Sequence, residues 1–246
     1  MKMQARLLAV ALLLLVFESL EVTVYLAKSF PCFIPVVSNS WGLPIRFLTQ
    51  GGTIVLLLSA LDLLLAKRVA LSAALGATTL LVFTLCDERY YSNHVFLACI
   101  LLFFFALANT SPHRVGGFYH RCICVQASIV YLATAFAKCN SSYLSGAILK
   151  VYFERSFFEL SIPSIEVLQL LAISSIAFEL TLGLSLWIPR YKKAALQTGV
   201  LFHAILALFS PIDQFFGVLC FSFLMFASYL SFQEIVHRPL VENDAA

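Results

Sequence analysis

Seven ionisable residues of this 246-residue chain fall within or at the ends of long apolar segments: Glu18, Glu21, Asp62, His94, Lys138, Glu179 and His203. A charged side chain at the centre of a bilayer costs on the order of 2.5–3.5 kcal/mol on insertion scales, so each of these positions marks a candidate functional site. Lys138 closes the stretch SIVYLATAFAK, where an apolar residue would insert more easily. Tyr131 precedes it by seven residues, nearly one above the other on a helix, and Ser128 and Thr134 lie close to the same stripe. A lysine held in an apolar pocket can serve as a free amine, a base for a weakly acidic hydroxyl. The alternative is a lysine snorkelling to the membrane interface.

Two further faces carry a polar residue among small ones. Ser175, Glu179 and Gly183 share one, and Gly199, His203 and Ala207 share another, a pattern that lets helices approach closely around Glu179 and His203. Asp62 lies one turn before Lys67 and Arg68 and reads as part of a charge pair. Glu18 and Glu21, at i and i+3, either pair inward or line a cavity. His113, His120 and His237 fall in connecting segments and are assigned no specific role.

The elements that must position these groups follow from composition. The chain is 61% hydrophobic and 12% charged, with a mean hydropathy of +0.93, which excludes a soluble globular domain and predicts one polytopic membrane domain over 1–246. Apolar segments at about 6–27, 47–66, 69–86, 94–110, 121–138, 164–188, 193–210 and 215–233 predict an all-α bundle, because only helices satisfy the backbone over such lengths in lipid. Eight spans are expected. Seven, with one re-entrant element, is the alternative, since the third is short and the first carries two glutamates. The first segment has a basic start but no small-residue cleavage site, and is expected to be retained as a span.

SFPCFIPVVSNSWGLPIR, with Pro31, Pro35, Pro44 and Trp41, predicts an irregular loop along the membrane surface. YLSGAILKVYFERSFF, after the fifth span, is too charged to cross and predicts an interfacial amphipathic helix. Eight crossings place ten basic residues on one side, among them Lys2, Arg6, Lys67, Arg68, Lys192 and Lys193, against six on the other, so both termini are expected in the cytoplasm. His94, Lys138 and His203 then share one depth on the outer side and are expected to surround one cavity. The net charge of +3 is scattered, which implies no nucleic acid, and the seven cysteines have no metal-site spacing and read as small membrane-buried hydrophobes, so no metal is expected.

SNHVFLACILLFFFAL, QASIVYLATAFAKCNSSYLSG, AFELTLGLSLWIPR and GVLFHAILALF, taken in order, resemble the membrane domain of the vitamin K-dependent gamma-carboxylase superfamily, often called HTTM proteins. The resemblance runs from about Asn93 to Leu230, and its most specific block is Gln126 to Gly146. It implies that Lys138 is the base that deprotonates a reduced quinone, vitamin K hydroquinone-like, on the exoplasmic or lumenal side. His94, in the Asn-His pair, then assists catalysis, while His203, Tyr131, Gln126 and Glu179 contribute to binding. In that family the quinol reacts with O2 to give a strong base, and the carbanion formed beside a glutamate carboxylate captures CO2. Tyr143 stands where the family usually has tryptophan, and Cys139 and Ser142 interrupt the stretch after the lysine.

The implied partners are membrane lipids and a peptide or protein substrate, or a separately encoded soluble partner, on the exoplasmic side. The implied location is the cell membrane of a prokaryote or the endoplasmic reticulum of a eukaryote. A reading of another class is a quinone- or lipid-binding partner subunit without chemistry. A transporter is disfavoured, because paired broken helices and repeated halves are absent from the sequence. If Lys138 is a base, Lys138→Ala is expected to abolish quinol oxidation with stability nearly intact. Lys138→Arg should be equally inactive, because a guanidinium stays protonated.

Overall fold

A computed structural model describes residues 1–28, 45–86, 90, 92–111, 113–156, 161–211 and 214–237 of the chain. The expected surface loop after the first span falls almost wholly outside them, as do the side chains of Glu21, His113 and His237. The described residues form ten helices: α1 (Lys2–Lys28), α2 (Ile45–Leu64), α3 (Val69–Cys86), α4 (Asn93–Thr110), α5 (His113–Lys138), α6 (Ser141–Leu144), α7 (Ala147–Arg155), α8 (Ile165–Ser185), α9 (Pro189–Phe209) and α10 (Phe215–His237). The eight long helices fall on the eight apolar segments.

The protein is an all-α, multi-pass membrane protein. Among the described residues five stretches are long and apolar enough to cross a membrane: Lys2–Leu20, Asn93–Thr110, Gly117–Lys138, Ile165–Ser185 and Phe215–Gln233. The apolar parts of α2 and α3, Gln50–Leu64 and Val69–Leu85, are shorter. At 1.5 Å per residue α3 reaches only about 27 Å, just under the roughly 30 Å hydrocarbon core, as its shortness in the sequence suggested. Arg190, Lys192 and Lys193 open α9, so its apolar run begins only at Ala194.

The chain divides into two compact units, Met1–Ile123 with Leu219–Ala246, and Cys124–Val218. In the first, α1 packs on α2, α2 on α3 and α3 on α4, over a core that includes Leu8, Leu12, Leu56, Leu101 and Phe105. Two buried polar links tie this unit together. Gln4 Nε2 donates to Ser231 Oγ at 2.8 Å and to the Ala227 carbonyl at 3.0 Å. His120 Nδ1 lies 3.0 Å from the same serine oxygen.

His120 is therefore structural, contrary to the sequence reading. The helix α5 begins at His113 rather than near residue 121, which carries His120 into the packed interior at 3% exposure. The reading of Asp62 also needs correction. The turn after α2 puts Ala66 and Arg68 at φ of 52° and 41°, a left-handed backbone uncommon for such residues. That reversal brings Ser72 of α3 to Asp62, where its hydroxyl donates to Oδ2 at 3.3 Å, and Lys67 and Arg68 are left exposed.

In the second unit, the C-terminal half of α5 packs with α6, α7, α8 and α9. Ala135, Tyr143, Ala172 and Ile176 form its core, flanked by Ile148, Leu149 and Leu180. Asn140 caps α6, its side chain accepting from the Tyr143 N–H at 3.0 Å. Gly146, at φ 80°, then turns the chain into α7, and a Cβ there would lie 2.7 Å from Leu168 Cβ. The expected amphipathic helix is found as α7, which buries no residue and carries a Lys150–Glu154 pair at 3.8 Å. Tyr143, by contrast, belongs to α6 and turns into the core.

Candidate functional site

The second unit holds a polar seam between two helices. On α8, Ser175, Glu179 and Gly183 recur every four residues, so they line one face, and Trp187 follows four residues later in the turn after the helix. Opposite them on α5 stand Ser128, Tyr131 and Lys138, with Tyr143 just beyond. Each rung is a contact. Trp187 Nε1 donates to Ser128 Oγ at 2.7 Å, Lys138 Nζ donates to Glu179 Oε1 at 2.7 Å, and Tyr143 Oη lies 2.8 Å from Ser175 Oγ.

Gly183 supplies the close approach that the seam needs. A Cβ on it would sit 3.1 Å from Tyr131 Cβ, tighter than side chains ordinarily pack. Tyr131 is thereby held at 1% exposure, and its hydroxyl reaches His203 Nε2 on α9 at 2.7 Å. Phe178 and Phe202 complete the α8–α9 contact with ring centroids 4.8 Å apart. The seam thus joins α5, α8 and α9 around one tyrosine.

Exposure runs along the seam in a definite direction. The Lys138 side chain is 23% exposed, whereas that of Glu179 is 5% exposed. Glu179 Oε2 has no hydrogen-bond partner among the described residues, and Thr134, one turn before Lys138, donates to the Val130 and Tyr131 carbonyls. The ammonium lies 5.3 Å from the centre of the Tyr143 ring, within cation–π range. A solute reaching this end of the seam meets Lys138 first and Glu179 behind it.

Of the residues singled out from the sequence, Lys138, Glu179, Tyr131 and His203 are brought together as two contacting pairs in one unit. Gln126 is half-buried on α5, about 120° around the helix from Lys138, and is not part of the seam. His94 belongs to the first unit, where its Nε2 lies 2.6 Å from Glu18 Oε2 and 3.1 Å from Ser92 Oγ. Glu18 is therefore paired, in an exposed contact rather than an inward one, and it also lines a small cleft.

The pairing of Lys138 changes one expectation. Lys138→Ala would leave the buried Glu179 carboxylate without its cation, so stability is not indifferent to that substitution. Sequence reasoning missed Trp187 as a site-shaping residue, although its place four residues after Gly183 was available as a signal. No family model, curated protein or solved structure matches the chain.

Proposed function

We propose that this membrane protein is a quinol-dependent, carboxylase-like enzyme in which Lys138 and Glu179 act as one acid–base couple. The observation that carries the reading is the 2.7 Å contact from the half-buried Nζ to the buried Oε1. An ammonium cannot accept a proton. Transfer along that hydrogen bond to Glu179 leaves a neutral pair whose free amine can accept the proton of a quinol hydroxyl.

A reduced quinone, with O2 and CO2 as co-substrates, would supply redox and base chemistry beyond the reach of any side chain. The residues present suit such a group. Nζ offers donors to a quinol oxygen, the Tyr143 ring adjoins it, and Glu179 provides a protected carboxylate as proton store. Tyr131 and His203 hold α5 against α9 and fix the height of the couple. The resemblance of the Gln126 to Gly146 block to the carboxylase superfamily supports the same assignment.

A second reading is a quinone- or lipid-binding subunit without turnover. It is favoured by the same contact, because the Glu179 carboxylate already engages Lys138 Nζ. Purified protein in lipid nanodiscs, supplied with vitamin K hydroquinone under oxygen, separates the two. The enzyme reading expects quinol oxidation by wild type and none above background by Lys138→Arg or Glu179→Gln. Quinone that copurifies without any turnover points to the binding subunit. The absence of both copurified quinone and turnover removes both readings.

A further inference from the structure

Between the second half of α1, the middle of α2, the end of α3 and the start of α4, the first unit contains a cleft of about 70 Å³, room for a few waters or a small organic group. Its apolar part is formed by Leu15, Leu56, Leu80 and Val95, and its polar part by Glu18, Ser19, Tyr90 and Ser92. Among the described residues Glu18 is the one lining residue with a formal charge, and neither lysine nor arginine lines the cleft. An anion would be repelled.

The imidazole geometry excludes one familiar chemistry. A serine hydrolase needs its serine and its carboxylate on opposite ring nitrogens of histidine. Here Ser92 Oγ and Glu18 Oε2 both meet His94 Nε2, at 3.1 Å and 2.6 Å. Ser92 is further engaged as the cap of α4, accepting from the Val95 N–H at 3.3 Å. The contact anchors Glu18 and activates no nucleophile.

What remains is a set of acceptors. Ser19 gives its hydrogen to the Val16 carbonyl at 3.1 Å, so its oxygen lone pairs are left to accept. The Glu18 carboxylate stands one residue away and has the capacity for several donors. Phe83 and Tyr90, with ring centroids 4.7 Å apart, supply an aromatic wall. A carboxylate, a hydroxyl acceptor and aromatic faces match a group with several N–H donors and one positive charge.

We propose that this cleft binds a primary ammonium group. Its size suits an alkylammonium, whereas a quaternary ammonium has no N–H to offer and carries more bulk. The same chemistry is found in the ethanolamine headgroup of a phospholipid and in a free small amine. The inference rests on α1 to α4 and draws nothing from the quinol reading.

The test is thermal unfolding of the purified protein in nanodiscs of pure phosphatidylcholine, titrated with ethylammonium chloride against matched sodium chloride and tetramethylammonium chloride. Ethylammonium is expected to raise Tm saturably in wild type, to weaken several-fold in apparent affinity with Ser19→Ala, and to lose its effect with Glu18→Gln. Should Glu18→Gln not fold, Ser19→Ala decides the matter. Nanodiscs containing phosphatidylethanolamine identify the source. A higher starting Tm with a diminished response to added amine assigns the cleft to the lipid headgroup, whereas unchanged behaviour assigns it to a free amine. The proposal is overturned if ethylammonium gives no saturable shift in phosphatidylcholine, if tetramethylammonium gives the same shift, or if the folded variants respond as wild type does.

Discussion

Lys138 Nζ donates to Glu179 Oε1 at 2.7 Å, tying the last turn of α5 to the middle of α8 through a lysine that is 23% exposed and a glutamate that is 5% exposed. The asymmetry determines how substitutions should behave. Removing the lysine strands a buried carboxylate, whereas removing the glutamate leaves a cation that can reach water.

Lys138→Met should therefore destabilise the protein toward the lower end of the roughly 3–5 kcal/mol seen when one partner of a buried pair is lost, because the lysine is itself partly hydrated. Glu179→Leu should cost less. The double variant Lys138→Met with Glu179→Leu should be more stable than Lys138→Met alone, since no charge is left buried. A double-mutant cycle from unfolding in mild detergent checks this, and strictly additive effects would show that the contact does not couple the two helices.

Tyr131→Phe removes the hydroxyl that meets His203 while keeping the ring against Gly183. Hydrogen bonds between membrane helices average about 0.6 kcal/mol and reach about 1.7. The loss should therefore be smaller than that of Lys138→Met, with the α5–α8 contact preserved. Thermal unfolding of the two variants side by side tests the order, and a larger loss for Tyr131→Phe would mean that the tyrosine, not the ion pair, holds the seam.

Gly183 should tolerate only small replacements. A Cβ placed 3.1 Å from Tyr131 Cβ requires a shift of a few tenths of an ångström, so Gly183→Ala should be mildly destabilising, by about 1 kcal/mol or less. Gly183→Leu must force α8 away from α5 and should lower Tm well beyond the alanine variant, with loss of the Lys138–Glu179 coupling in a repeated cycle. Equal Tm values for the two variants would show that the helices do not meet at this glycine.

The sequence made the spans legible because lipid permits few backbone solutions, and apolar length alone then marks each helix. It also made legible which residues share a face, Tyr131 with Lys138 and Ser175 with Glu179 and Gly183, since helical periodicity is local. It did not reveal which face meets which. The pairing of Lys138 with Glu179 links residues 41 apart, and that of Tyr131 with His203 links residues 72 apart, choices made by packing around Gly183 rather than by any spacing. His120 was misread for a different reason. Its polar neighbours suggested a loop, but α5 extends through them, and Ser231 on α10 provides a buried partner that no local pattern announces.

Cys139 offers a native reporter for both the topology and the site. It follows Lys138 directly and is exposed, while Cys99 and Cys122 are half-buried and Cys124 and Cys220 are buried. A membrane-impermeant maleimide should therefore label Cys139 from the exoplasmic side in a variant lacking Cys32 and Cys86, whose thiols lie outside the described residues. Cys139→Ser in the same background should abolish the labelling. If a quinone docks at Lys138, its presence should slow the reaction at the adjacent thiol, whereas sodium chloride at equal concentration should not. Labelling from the cytoplasmic side would reverse the orientation expected from the ten basic residues on that side, and labelling indifferent to quinone would move the docking position away from Lys138.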